Sequence, residues 1–537
     1  MTSSNGVKQI IQTIDKKEWS FLVIIAFLLI FITSLPYIYG YLTAPEDTHF
    51  LAISGINRFD YANYFSYIEQ AKDGHLLFKD LYTTEPQPRA ILNLFFLGLG
   101  LFAKFFKLST VAIFQISRII LIPIFVFIFY LFVSLLFKEK LKRKLGLIFT
   151  CFSAGVGGLF SLFFTFPLLQ IPIDLWMPEA FTFLSLYLNP LYIFSFILII
   201  SIFFLILLAK KNASCKYSFL AGICGLILFQ IHPYDIPIIY LTLFIFWILS
   251  SIIEKRINWN LFKHCFVFAL VSLPSVIYYF WLSTSHFVTV ERITQASSLL
   301  ITPSASAFIL GYGFILPLTL MGIYIFLKKK SPYLPLLTAW LMVHIALLCL
   351  PLPLQRKMTE GLHIILCIFA VEGIWIIHQK FNLLKHKFLW IFIFIFFFNF
   401  SNIFIIKRDI NYYKTSYFSI PKELISSMKW LRINSSEEAN IISGSDMVTN
   451  NLIPAFSVRK IYFGHRIETI QAARKEKEVS WFFETNKNDD EKYSFLQKEN
   501  LNYIFINKKE EYVFRPEEKE YLKKVFENNA ASIFKVI

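Results

Sequence analysis

The chain lacks the signatures that many enzyme classes need. Its six cysteines, Cys151, Cys215, Cys224, Cys265, Cys349 and Cys367, lie in or beside apolar segments. That placement excludes a disulfide framework, and no zinc-type Cys/His spacing is present. There is no Gly-rich phosphate loop, no HExxH and no GxSxG, which excludes P-loop nucleotide hydrolysis, zincin proteolysis and nucleophile-elbow hydrolysis in their usual forms. No internal repeat is visible either. Acid is scarce, with 36 Asp and Glu against 52 Lys and Arg and a formal net charge of +16. The excess requires no nucleic-acid partner, because most of it falls in short basic loops suited to anionic lipid.

What the chain has in abundance is apolar surface. A composition that is 56% hydrophobic with 62 Phe, and a mean hydropathy of +0.57, excludes an ordinary soluble domain. A membrane-crossing helix needs roughly 20 apolar residues. Segments 19–41, 111–137, 145–169, 191–209, 217–231, 236–253, 265–282, 307–327, 333–350, 362–378 and 388–406 approach or meet that length, giving about eleven spans. The first follows a positive stretch but precedes no small-residue cleavage site, so it reads as an uncleaved span.

Basic residues orient the bundle. Lys8/Lys16/Lys17, Lys138–Lys144, Lys210/Lys211/Lys216, Lys255/Arg256/Lys263, Lys328–Lys330 and Lys380/Lys385/Lys387 occupy alternate connections, which places those loops and the N-terminus in the cytoplasm. Segment 91–106 is then a juxtamembrane or re-entrant helix, because counting it as a span would invert the Lys138–Lys144 cluster.

From 407 the sequence becomes mixed and charged. Runs 440–443, 460–463, 502–506 and 532–537 predict strands, and 422–432, 468–483 and 517–527 predict helices. The expected fold is an α-helical polytopic membrane module, 1–406, followed by a small extracytoplasmic α/β domain, 407–537. The whole is a multi-pass protein of the cell (inner or cytoplasmic) membrane.

Chemistry concentrates in the outer loop 42–110, which gathers Glu46, Asp47, Asp60, Glu69, Asp73, Asp80 and Glu85. A carboxylate at a water–membrane boundary can take a proton from an acceptor or hold a divalent cation against a phosphate. Both roles suit sugar transfer from a lipid phosphate carrier.

Three other clusters fall on the same side. In Asp174-Leu175-Trp176-Met177-Pro178-Glu179 a Trp and two carboxylates form either a sugar platform with a metal contact or an interfacial anchor. In His232-Pro233-Tyr234-Asp235 the imidazole and carboxylate either meet substrate or a cation or serve the helix end. Gln355-Arg356-Lys357 holds the only paired cations in the short outer loops, which suits a phosphate, with snorkelling to headgroups as the alternative. Arg292, beside Glu291, is placed to assist. In the tail, Gly464-His465-Arg466 and Asn450-Asn451 are polar clusters near strand ends that loop punctuation explains equally well.

The run Phe59-Asp60-Tyr61-Ala62-Asn63-Tyr64, then Ile68 and Asp73-Gly74-His75-Leu76-Leu77-Phe78, resembles the first-loop pattern of GT-C superfamily membrane glycosyltransferases. The likeness is greatest to the branch of protein O-mannosyltransferases and lipid A aminoarabinose transferases. Glu85-Pro86 and Arg118 follow in the matching order. The resemblance implies that Asp60 is the base, Tyr64 and Glu85 lie at the substrate, and Arg118 joins Gln355, Arg356 and Lys357 at the donor phosphate. Asp174, Glu179, His232, Asp235 and Arg292 complete the expected substrate site. The family often has a second acid directly after the first, where this chain has Tyr61. A divalent cation is a further expectation, with Asp60, Glu179 and His232 as its candidate ligands. As an alternative role, Asp60 is simply the N-cap of a helix over 61–72.

The expected activity is inverting transfer of a hexosyl, mannosyl or related sugar from a polyprenyl-phosphate-linked donor to a lipid, glycan or protein acceptor, without nucleic acid. The alternatives are an oligosaccharide polymerase or ligase, a transporter or flippase of lipid-linked sugars, and a non-catalytic scaffold.

Overall fold

The computed structural model describes residues 6–299, 302–381, 385–415, 418–485 and 489–537. Residues 300–301, between the segments expected at 265–282 and 307–327, and 382–384 of the last basic connection lie outside them. The chain divides into two compact units, Met1–Pro36 with Gln115–Phe280 and Leu300–Asp409, and Tyr37–Phe114 with Trp281–Leu299 and Ile410–Ile537.

Six helices are long and apolar enough to cross a membrane: Lys16–Thr43, Thr110–Leu136, Pro190–Asn212, Asp235–Ile253, Trp259–Ser285 and Gln355–Phe381. Two bent pairs, Ala305–Tyr312 with Ile315–Lys329 at 79° and Phe388–Phe398 with Phe400–Lys414 at 61°, raise the number to eight if each is one span. This is a multi-pass membrane protein, with fewer full-length spans among the described residues than the expected eleven. The segment expected over 145–169 is no single span: it forms the helix Lys140–Phe152, one helical turn at Gly157–Phe160 and the start of a turn at Leu168–Gln170. Gly155 sits in the break after Phe152, and Pro167 and Pro172 flank the later turns, because glycine weakens a helix through its backbone entropy and proline cannot donate to the helix ladder. Segments 217–231 and 333–350 form Cys215–Ile231 and Leu334–Cys349, at 17 and 16 residues short of that length.

Within the first unit, small residues let helices touch backbone to backbone, as membrane packing favours. A Cβ on Gly322 would lie 1.8 Å from the Phe369 carbonyl oxygen, and one on Gly373 would lie 2.5 Å from that of Leu318. Glu372, the clearest charge within a span, is held by Lys142 at 2.8 Å and Lys329 at 2.9 Å.

The second unit begins with β1 (Thr48–Phe50), which pairs antiparallel with β2 (Ser419–Pro421). The helix Arg58–Asp73 follows and ends on Gly74, whose φ of +104° suits glycine. Its N-cap is Asn57, not Asp60, which sits in the first turn. The apolar segment after it forms the helix Leu94–Phe105.

The tail folds around β3 (Asn440–Ser443), β4 (Lys460–Ile461), β5 (Tyr503–Asn507), β6 (Leu522–Glu527) and β7 (Ala531–Val536), in the order β4-β3-β5-β7-β6. β3 is parallel to β4 and β5, while β7 is antiparallel to β5 and β6. Ile442, Tyr462, Phe482, Phe483, Phe514 and Phe534 fill its core. All four expected strands are present. The helix expected over 517–527 is instead a turn at Pro516–Glu518 and the strand β6, since pairing with β7 outweighs the helical preference of a Glu/Lys-rich run. The helix expected from 468 starts at Ala472, because the Glu468 and Thr469 N–H groups bond back to the His465 carbonyl.

Candidate functional site

Asp60 lies on the second unit's first-loop helix, with its side chain 31% exposed. Its Oδ1 is 3.0 Å from Nε2 of His465, a buried residue just after β4. In the neutral ring Nδ1 accepts the Ile467 N–H at 3.2 Å, which leaves the proton on Nε2 and directs it at Asp60. Burial lowers the His465 pKa, but the Asp60 carboxylate outweighs it and the net shift is upward.

Behind this pair, Asp80 is fully buried and accepts the Tyr82 N–H at 2.9 Å. Burial first, then Glu468, pushes its carboxyl up to about 7 against the pull of Arg292. Arg292 itself donates to Glu468 at 2.7 Å and lies 3.5 Å from the Tyr67 hydroxyl. Glu85 pairs with the fully buried ammonium of Lys475 at 2.7 Å. Tyr64 packs its ring on Phe96 and Phe114, at 5.0 and 6.4 Å between centroids.

The first unit gathers Glu179, Gln355, Arg356 and Lys357 into a polar patch. Glu179, 1% exposed on the turn Pro178–Ala180, faces Lys357 Nζ at 3.0 Å and Arg356 Nε at 4.0 Å. Burial raises the Glu179 carboxyl, yet Lys357 and Arg356 hold it below its ordinary range. Among these three side chains, two cations face one carboxylate. The Arg356 guanidinium covers the Trp176 ring at 5.2 Å, and Lys357 also reaches the Tyr192 hydroxyl at 3.0 Å. Gln355 accepts from the Thr302 hydroxyl at 2.6 Å.

Asp174 turns away into the loop fold, accepting the Gly157 N–H at 3.1 Å, and burial pushes its pKa up to about 7. Arg118 is buried within its span and donates to Thr33 at 2.7 Å, Ser34 at 2.9 Å and Gln115 at 2.8 Å. His232 closes the helix Cys215–Ile231 and Asp235 opens the next one. With Glu360 they form a buried trio whose ligand atoms lie within 4.8 Å of one another. Of the three expected metal candidates, His232 belongs to this trio, whereas Asp60 pairs with His465 and Glu179 with Lys357.

Sequence reasoning missed Glu360, the one acid in a short loop otherwise marked by Arg356 and Lys357. It named His465 within a polar cluster near a strand end that loop punctuation explains equally well, and did not pair it with Asp60. A lone acid beside an apolar segment was a usable signal for the first, whereas nothing local signals the second.

No protein family matches the chain, and no curated protein matches it in sequence. Solved structures do. The oligosaccharyltransferase AglB from Archaeoglobus fulgidus, in complex with an inhibitory peptide and a dolichol-phosphate, superposes with a TM-score of 0.56 at 14% identity over 92% of this chain and 70% of AglB. ArnT from Cupriavidus metallidurans bound to undecaprenyl phosphate gives 0.50 at 10% identity over 97% of this chain and 98% of ArnT. The chain has the GT-C fold. A further GT-C structure, that of the same AglB in complex with Zn and sulfate, superposes at 0.50 and 13% identity over 89% of this chain and 68% of AglB.

Proposed function

We propose that the chain is an integral membrane glycosyltransferase that takes a sugar from a polyprenyl-phosphate carrier and passes it to an acceptor on the extracytoplasmic face. The observation that carries this reading is the carboxylate of Asp60, partly open on a first-loop helix of a GT-C fold and held by the buried His465. The complexes of AglB with a dolichol-phosphate and of ArnT with undecaprenyl phosphate support a lipid-phosphate donor.

In this reading Asp60 accepts the proton of the acceptor hydroxyl or amine as that atom attacks the anomeric carbon. The bond from that carbon to the phosphate oxygen breaks, the phosphate leaves with the electron pair, and the anomeric centre inverts. Arg356 and Lys357 carry the positive charge assigned to the phosphate. Tyr64, Glu85 and Arg292 shape the protein around Asp60, and Arg118 keeps its assignment to the donor. The tail, from 407 on, serves acceptor recognition and supplies His465.

Transfer of a whole oligosaccharide is the second reading, supported by the TM-score of 0.56 to the oligosaccharyltransferase AglB. Transport fits less well, because the charge on Glu372 is already taken up by Lys142 and Lys329. The deciding assay gives the purified chain, in lipid nanodiscs, a radiolabelled polyprenyl-phosphate monosaccharide or a pyrophosphate-linked oligosaccharide. Label should move to acceptor from the first donor with the native chain and not with a folded Asp60→Asn variant. An active Asp60→Asn enzyme overturns the assignment.

A further inference from the structure

We propose that His232, Asp235 and Glu360 form a binding site for a divalent transition-metal cation of the Zn2+ or Mn2+ kind. The site stands on these residues alone and does not depend on the transferase reading.

His232 Nδ1 lies 2.9 Å from Glu360 Oε1 and 3.9 Å from Asp235 Oδ2. The three residues are 3%, 0% and 0% exposed. Both carboxylate oxygens of Asp235, and Oε2 of Glu360, have no hydrogen-bond partner among the described residues. Unpartnered carboxylate oxygens at such depth are costly. With both carboxylates ionised, even a protonated imidazole would leave this trio one charge short of neutral. Lys357, the nearby cation, is 3.0 Å from Glu179 and engaged there. A divalent cation balances two carboxylates and a neutral imidazole, and these are the protonation states in which such ligands bind.

The donor set selects the kind of ion. One imidazole nitrogen with carboxylate oxygens suits Zn2+ or Mn2+. The absence of thiolate or thioether disfavours Cu(I). Ca2+ and Mg2+ need six or more oxygens in their shells.

Local structure holds the ligands in place. The Asp235 N–H bonds to the His232 carbonyl at 3.1 Å across the Pro233 turn, which brings two ligands onto one tight bend. The Glu360 N–H bonds to the Lys357 carbonyl at 3.2 Å. Gly361 follows at φ +89°, where a side chain would be strained. The Ser195 hydroxyl donates to Glu360 Oε1. The rings of Tyr192 and Tyr234 pack on His232 at 5.2 and 4.8 Å, so outer contacts hold the ligands in place as metal sites require. Three protein ligands leave a coordination position open.

The test strips the detergent-solubilised full chain with EDTA and titrates it with Zn2+, reading affinity by calorimetry and stoichiometry by elemental analysis. One Zn2+ per chain is expected. Asp235→Asn and Glu360→Gln should each weaken it by ~100-fold or more, at least the upper cost of an outer-shell change. Zn2+ should raise the unfolding temperature of the native chain and not of the double variant. Both amides keep the side-chain shape and remove a buried charge, so the stripped variants should remain monodisperse. The ligand-field absorption of Co2+ in the native chain, displaced by Zn2+, reads the site without any variant. Absence of both Zn2+ uptake and the Co2+ band, or affinity unchanged in both variants, overturns the proposal.

Discussion

Asp60 and His465 are 405 positions apart in sequence, yet His465 Nε2 sits 3.0 Å from Asp60 Oδ1. The imidazole is 8% exposed and the carboxylate 31%, so a buried donor fixes a group that remains reachable from solvent. A base held by a charge-assisted bond is oriented before substrate arrives.

Removing either member of this pair should slow transfer without unfolding the chain. Asp60→Asn should cut kcat by about 10²- to 10⁴-fold, the contribution of a positioned base. His465→Gln should cost less, roughly tenfold to a hundredfold, as loss of one bond to a charged group does. Single-turnover rates on folded variants check both, and equal losses would mean that His465 does more than position Asp60.

Lys357→Met should lower stability by about 2–3 kcal/mol, on the low side for a broken buried pair because Arg356 remains near Glu179. Adding Glu179→Gln should restore most of that loss, since no buried charge is then left alone. Arg356→Ala should leave the unfolding temperature almost unchanged while raising the KM for donor. Thermal unfolding in detergent, together with donor titration, separates these outcomes.

Asp80 supplies a pH prediction. Its carboxyl is raised from 3.8 to about 7, by burial first and Glu468 second. Between those values the folded chain keeps a proton that the unfolded chain has released, so this group makes stability fall as pH rises through the window and level off above it. Asp80→Asn removes that slope. The unfolding temperature of the variant minus that of the native chain should be near zero at about pH 4 and positive at about pH 8. A difference that does not change with pH contradicts it.

Gly322→Ala should destabilise the bundle by about 1–3 kcal/mol or more, because its Cβ would press on the Phe369 carbonyl with only backbone to yield. Gly98→Ala is the control. A Cβ there meets nothing within 4 Å, and alanine in a helix should stabilise by roughly 0.5–1 kcal/mol. Unfolding temperatures of the two variants should move in opposite directions.

Much of the fold was legible along the chain. The apolar runs located six long helices, and short β-branched and aromatic runs located β3, β4, β5 and β7. Where local signals conflict with tertiary pairing, legibility ends. The Glu/Lys-rich run before β7 reads as helix but pairs as β6, and the apolar run 145–169 leaves its helix after Phe152, around Gly155. The candidate residues were legible in part, through Asp60, the His232–Asp235 turn and the Arg356–Lys357 pair, whereas their partners His465 and Glu360 were not.

By itself, the sequence determined that this is a multi-pass membrane protein with a polar first loop and a mixed tail, because hydropathy, span length and turn residues act over a few turns of chain. Tertiary structure alone decided which charges meet. Glu179 with Lys357, Glu360 with His232, and Asp60 with His465 are pairings between distant segments. Their partners are chosen by the cost of leaving a buried charge unmatched, a cost that exists only once the chain has folded.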